Sequence, residues 1–256
     1  MKVFSVYGYS KSGKTTIVES LVRELKKKNF DIGTIKEIHY EEFKMDAKGT
    51  NTDRHRKQGA EPVTARGNKE TDIMYGKKLT LPEILRHYNQ DYVICEGLTD
   101  YNLPRIIVGK SIEELEERWE SGIFAVSGKV AEILGDEYKG VPVINILEEP
   151  EKMANLVIKK VFEILPDVDK NCCNACGYGC RGLTDKIIKG EAKREDCIQK
   201  TSSVKLFIDG KEIGMVPFVE EIIRNVTRGA VSGLKGYKKN SEIVVKLDDR
   251  GLYEKK

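Results

Sequence analysis

No stretch of the 256-residue chain approaches the ~18 uninterrupted apolar residues of a membrane-spanning helix, so a membrane span is not expected. An excess of one charge is missing as well. The 44 Lys plus Arg against 41 Asp plus Glu leave a net +3, which gives no bulk attraction to nucleic acid or to anionic lipid. Any basic site has to be local. The apolar run before Gly8 is too short for a signal peptide, so the expected address is the cytoplasm, where cysteines stay reduced. Internal repeats and low-complexity tracts are lacking too. What remains is a chain with 39% hydrophobic residues, long enough to bury a sizeable core.

From Lys2 to about Ile164 short apolar runs alternate with helical periodicity, which predicts an α/β fold with a mostly parallel sheet covered on both faces. Strands are expected at Val3–Tyr7, Asp31–Lys36, Tyr92–Glu96, Arg105–Val108, Ile123–Val126 and Val141–Ile146. A helix is expected from Lys14 to Lys28, with Ile17, Val18, Leu21, Val22 and Leu25 on one side, and another from Glu151 to Ile164, closed by Pro166. Residues Glu37–Lys69 read as a polar, irregular interruption, and an interruption of that length is usually functional. Three domains follow: 1–168 for nucleotide binding, 169–202 for a cysteine-rich metal module, and 203–256 for a small α+β unit. That last unit is read as a strand over Val204–Ile208, a type I′ turn at Asp209-Gly210, a strand over Glu212–Met215, a helix over Pro217–Val231 and a strand over Glu242–Leu247.

Gly8-Tyr9-Ser10-Lys11-Ser12-Gly13-Lys14-Thr15 fits G-x-x-x-x-G-K-[ST] between a predicted strand and a predicted helix, which marks a P-loop NTPase. In such a loop, successive N–H groups and the positive helix end cradle phosphates. Lys14 is expected to reach the β and γ oxygens, Thr15 to bind Mg²⁺ through its hydroxyl, and Thr16 to add a donor. Glu96, at the carboxyl end of a buried strand, is the expected second Mg²⁺ partner, or the group that orients an attacking water. Lys14 and Glu96 are thus the candidate catalytic residues. No N-K-x-D guanine motif occurs, and Ser127-Gly128-Lys129 is a faint echo of a guanine loop, so ATP and GTP stay open on these residues alone.

The G-Y-S-x-S-G-K-T-T loop from Gly8 to Thr16, Ile35-Lys36 followed by His39, the G-x-x-x-x-R-H-R-x-x-G-A run from Gly49 to Ala60, and Cys95-Glu96-Gly97 with Pro104 and Ile106 beyond resemble the MobB family over residues 2–165. Glu37, Tyr40, Lys48 and Asn51-Thr52 depart from the family's usual residues. The resemblance implies a GTP-binding, weakly GTP-hydrolysing adaptor in the biosynthesis of molybdopterin-guanine dinucleotide, the form of the molybdenum or tungsten cofactor. It implies a homodimer that works beside a MobA-like guanylyltransferase and molybdopterin intermediates. His39, Arg54 and His55 are then candidate contacts to a partner or to phosphate, and nucleic acid is not an expected partner.

Five of the six cysteines fall between Cys172 and Cys197. In a reducing compartment this crowding points to metal or redox chemistry before disulfides. Cys173, Cys176, Cys180 and Cys197 offer four thiolates, and Gly177 and Gly179 let the backbone wrap a ligand. Cys176-Gly177-Tyr178-Gly179-Cys180, Ile187 to Ala192 and Cys197 also resemble the four-cysteine [4Fe-4S] domain of Rnf-type B subunits, which implies a [4Fe-4S] cluster with zinc as the alternative. Residues 169–199 hold few apolar side chains. Metal-ligand bonds are therefore expected to fold them, and deletion after Pro166 is expected to leave GTP affinity nearly intact. Two competing functions fit the same residues: a nucleotide-gated iron-sulfur electron carrier, and a zinc-stabilised partner-binding NTPase.

Overall fold

The chain opens on a strand whose side chains alternate between two covers. Phe4 and Val6 join one apolar cluster, while Val3 and Tyr7 join the clusters on the other face. A computed structural model describes the chain apart from residues 168–172, 174–175, 198–203, 205, 209–210, 214, 216, 239–240, 242 and 248–256. Contacts group residues 1–201 into one unit and 202–256 into a second. In chain order the first unit holds β1 (Lys2–Gly8), α1 (Lys14–Lys27), β2 (Ile32–Lys36), α2 (Asn51–Lys57), β3 (Val63–Arg66), β4 (Thr71–Met74), α3 (Leu81–Leu85) and β5 (Tyr92–Glu96). It continues with β6 (Arg105–Val108), α4 (Ile112–Glu117), β7 (Ile123–Ser127), β8 (Glu137–Tyr138), β9 (Val141–Pro142), α5 (Pro150–Lys160) and α6 (Gly179–Lys189).

The central sheet has the order β2-β5-β1-β6-β7, and every pair in it is parallel. β5, β6 and β7 are buried along their whole length, as the near-continuous apolar runs of a doubly covered parallel sheet require. α1 lays Ile17, Val18, Leu21 and Leu25 on one face together with Met153, Ala154 and Val157 of α5. Lys26 and Lys27 close α1 at the negative end of its dipole. The opposite face is covered by Leu81 and Leu85 of α3, Leu98 and Leu103 of the β5–β6 connection, and Leu115 of α4.

The polar stretch after β2 is more ordered than its composition predicts. Thr50 caps α2 by accepting from the Asp53 N–H, and β3 pairs antiparallel with β4. α2 buries no residue and β4 is mostly exposed, so neither writes a hydrophobic period into the sequence. The expected strand Val141–Ile146 shrinks to Val141–Pro142, paired with β8, plus one parallel bridge from Val143 to Val126. Proline at 142 removes a ladder donor. The expected helix to Ile164 stops at Lys160, where Val161 turns extended and leads to a bridge between Glu163 and Lys2.

After Pro166, α6 ends on Gly190 in the left-handed conformation (φ +81°), just before Glu191-Ala192. This helix is docked by apolar burial, against expectation. Leu183 is 1% and Ile188 6% exposed, Ile188 belongs to the main core, and Leu183 packs with Leu165 and Cys197. In the second unit β10 (Leu206–Ile208) pairs antiparallel with β11 (Lys211–Ile213), and α7 spans Pro217–Val231 as the sequence predicts. The expected Asp209-Gly210 turn lies outside the described residues. Ile243–Leu247 form no strand, because their apolar run is left without a paired neighbour among the described residues.

Candidate phosphate-binding site

β1 delivers the glycine-rich loop to the carboxyl edge of the sheet, and α1 begins directly behind it at Lys14. Gly8 must be glycine for a close-approach reason: a β carbon there would stand 2.0 Å from the Val108 carbonyl oxygen of β6. Gly13, the residue before α1, takes φ +99°, open to glycine and strained for other residues. The Lys14 ammonium folds back over the loop and donates to the Gly8 oxygen at 3.0 Å and the Tyr9 oxygen at 2.6 Å. Desolvation holds its pKa below the ordinary lysine value, while the Glu96 carboxylate pulls the other way.

Parallel register sets the acidic partner. Val6 of β1, Glu96 of β5 and Lys36 of β2 are level with one another, so the last residues of β2 and β5 meet beside the loop. Thr15 donates its hydroxyl to Glu96 Oε1 at 2.9 Å, and Lys36 Nζ forms an ion pair with the same carboxylate oxygen. Glu96 is 7% exposed and stands beside the hydroxyl that the loop motif assigns to Mg²⁺. Cys95 faces away into the core, where burial pushes its thiol up to about 12, which makes it an inert packing group.

These groups line a cavity of about 920 Å³. Gly8, Tyr9, Ser10, Lys11, Gly13, Lys14 and Thr15 of the loop line it, together with Lys36, Glu37, His39, Glu96, Gly97, Thr99 and Arg118. Ser12 and Thr16 of the loop do not line it. The Ser12 hydroxyl is turned into the loop's interior without a hydrogen-bond partner among the described residues. Lysines and an arginine from three parts of the chain make a locally cationic cavity in a chain of near-neutral net charge, as phosphate requires.

His39 is on the border of this cavity, but Arg54 and His55 are not. They line a separate hollow of about 370 Å³ along α2 with Asn51, Lys57 and Gln58. Arg56 and Lys57 are drawn into ion pairs with Asp46 and Asp53, so the basic run is partly neutralised within its own loop. Ser127 spends its hydroxyl on the Ile144 carbonyl at 2.6 Å, and neither it nor Gly128 lines the cavity.

The cysteine segment gathers less than its spacing suggests. Cys176 and Cys197 share an apolar cluster with Leu165, Leu183 and Ile187, Cys180 lies in the first turn of α6, and Cys173 is half-buried. Among the described residues no group of three or more His, Cys, Asp or Glu side chains is placed to hold a metal ion. Four thiols are the right donor chemistry for an iron-sulfur cluster or zinc, but their placement is not that of a formed site. Cys172 lies outside the described residues.

A family model for MobB, molybdopterin guanine dinucleotide synthesis protein B, matches residues 3–128. A Methanocaldococcus jannaschii protein assigned as a molybdopterin-guanine dinucleotide biosynthesis adapter is 30% identical over 257 residues, spanning 97% of this chain and 98% of that protein. The corresponding adapter of Haemophilus influenzae is 26% identical over 125 residues, 45% of this chain and 70% of its own length. The crystal structure of Bacillus subtilis MobB superposes with a TM-score of 0.54 at 20% identity, covering 64% of this chain and all of that one, which shows the shared fold. Similarity to the Methanocaldococcus jannaschii protein thus includes the cysteine segment and most of the second unit, whereas the Haemophilus influenzae match covers less than half of the chain.

Proposed function

The chain belongs to the MobB family, and on that premise we propose that it is a GTP-binding adaptor in molybdopterin-guanine dinucleotide biosynthesis. The observation that carries this reading is the meeting of Lys14, Thr15, Lys36 and Glu96 in one cationic cavity at the mouth of the glycine-rich loop. Thr15 and Glu96 would hold Mg²⁺, and Lys14 would leave the loop carbonyls for phosphate oxygens. Hydrolysis is slow in this reading, because the adaptor's task is to present nucleotide or a nucleotide-loaded pterin to a MobA-like guanylyltransferase. The working unit is a homodimer, with Arg54 and His55 on α2 facing the partner enzyme and His39 closer to the phosphates.

The expected result of titrating the protein with GTP and ATP in Mg²⁺ is saturable binding with GTP preferred; absence of binding, or equal affinity for both, would reject it. A pull-down against the organism's own guanylyltransferase tests the adaptor role, and an Arg54→Ala variant that binds the transferase as well as the wild type removes α2 from that interface.

The same reading includes a [4Fe-4S] cluster on Cys173, Cys176, Cys180 and Cys197. Cys176 and Cys197 already share one apolar cluster, and two more thiols lie within a few residues of Cys176. Anaerobically purified protein should carry about four irons with acid-labile sulfide. One zinc and no sulfide would replace the cluster with a structural zinc site and leave the nucleotide proposal standing.

A further inference from the structure

Arg118 closes an acidic run, Glu113-Glu114-Leu115-Glu116-Glu117-Arg118, in which nothing local singles it out. The fold does. Tyr7 of β1 donates its hydroxyl to the Arg118 carbonyl at 2.8 Å, which fixes the backbone just past α4. Its guanidinium lies 4.0 Å from the ring centre of Tyr9, the second residue of the glycine-rich loop, and the Tyr9 hydroxyl is in turn held by Glu117. The guanidinium borders the same cavity as Lys14, Lys36 and Glu96.

Nearby carboxylates are committed elsewhere. Glu117 is bonded to Tyr9, Glu120 pairs with Arg105, and Glu116 pairs with Lys139. Arg118 forms no ion pair among the described residues, and its Nε is buried without a hydrogen-bond partner. A guanidinium without an ion pair has its charge and its outer donors available for an anion, where a paired one would have to give up a partner first. The planar fork stacked on an aromatic face is also oriented before any ligand binds, which suits paired phosphate oxygens better than a flexible ammonium.

We propose that Arg118 is a phosphate-binding arginine supplied in cis, contacting the terminal phosphate of a nucleoside triphosphate held on Gly8–Thr15. The terminal phosphate is singled out because Arg118 lies over Tyr9, whose carbonyl holds the Lys14 ammonium at 2.6 Å, and Lys14 is the residue that the loop motif sends to the β and γ oxygens. This rests on the nucleotide-binding reading above. It adds the residue that tells triphosphate from diphosphate.

The test compares binding of the imido analogue of GTP with binding of GDP, both in Mg²⁺, for wild type, Arg118→Ala and Arg118→Lys. Arg118→Ala should weaken the triphosphate analogue by about 10- to 100-fold, in line with loss of a charge-assisted pair, and leave GDP within about threefold. Arg118→Lys should fall between, since it keeps the charge and loses the fork. Equal losses for both ligands in both variants would mean that the side chain only props the loop through Tyr9, and unchanged binding would mean that it touches no phosphate. Either overturns the proposal while leaving nucleotide binding intact. A wild type that binds neither ligand overturns the nucleotide reading itself and this assignment with it.

Discussion

Lys14→Ala should lower triphosphate affinity by roughly 100- to 1000-fold, the sum of about two charge-assisted hydrogen bonds to phosphate, while barely moving the unfolding temperature. The two halves of that expectation have separate causes. Affinity falls because Lys14 is the ammonium folded back onto the Gly8 and Tyr9 carbonyls at the mouth of the loop, and Lys36 is engaged by Glu96. Stability holds because Lys14 bonds only two loop carbonyls, which water can satisfy at the cavity's mouth. The pH dependence provides a second check. Only the protonated amine binds phosphate, and desolvation sets its pKa in the ligand-free protein below the ordinary value of 10.5. Affinity should therefore decline on the alkaline side, at a pH lower than an exposed lysine would give. Lys14→Arg should remove that decline whatever it does to the affinity itself. Isothermal titration across the alkaline range reads both effects, and a Lys14→Ala variant that binds like wild type would remove the loop from nucleotide binding.

What the sequence makes legible follows from how local the controlling physics is. The loop from Gly8 to Thr16 can be read because its chemistry fits into nine consecutive residues flanked by a strand and a helix. Glu96 can be read because a buried strand has to end at the ligand edge of a parallel sheet. Lys36 as the partner of Glu96 is a product of register between β2 and β5, and Arg118 reaches Tyr9 through tertiary contact, so neither role has a signal in spacing. α2, β3 and β4 escape notice because they are short and largely exposed, and hydrophobic period is what sequence reading detects.

The cysteine segment shows the converse, in which a low count of apolar residues goes with a well-buried helix. Leu183, Ile187 and Ile188 are few, but they fall on one side of α6 and all three pack inward. Composition averages over a segment, whereas burial depends on where three side chains land.

Truncation after Pro166 should therefore destabilise the α/β unit, contrary to the expectation from composition. Removing α6 strips Leu183 and Ile188 from apolar clusters, at roughly 2 to 3 kcal/mol each as an upper estimate. It also breaks the bond from buried Asn102 Nδ2 to Thr184 Oγ1 at 3.0 Å and the bond from the Gly122 N–H to Asp185 Oδ1 at 2.6 Å. Each adds about 1 kcal/mol or more where the remaining partner stays buried. A loss of roughly 4 to 8 kcal/mol is large against the ~5–15 kcal/mol of an ordinary domain, and it corresponds to a fall of about 10 to 25 °C in Tm. The single substitution Leu183→Ala should cost about 2 to 5 kcal/mol of the same total. Both bonds also bear on the cavity. Asn102 belongs to the β5–β6 connection that carries Thr99 to its border, and Gly122 lies four residues beyond Arg118. With α6 gone both stretches lose a brace, so nucleotide affinity should weaken along with stability. A truncated protein that melts within about 2 °C of the full chain and binds GTP as tightly would show that α6 rests on the domain without supporting it.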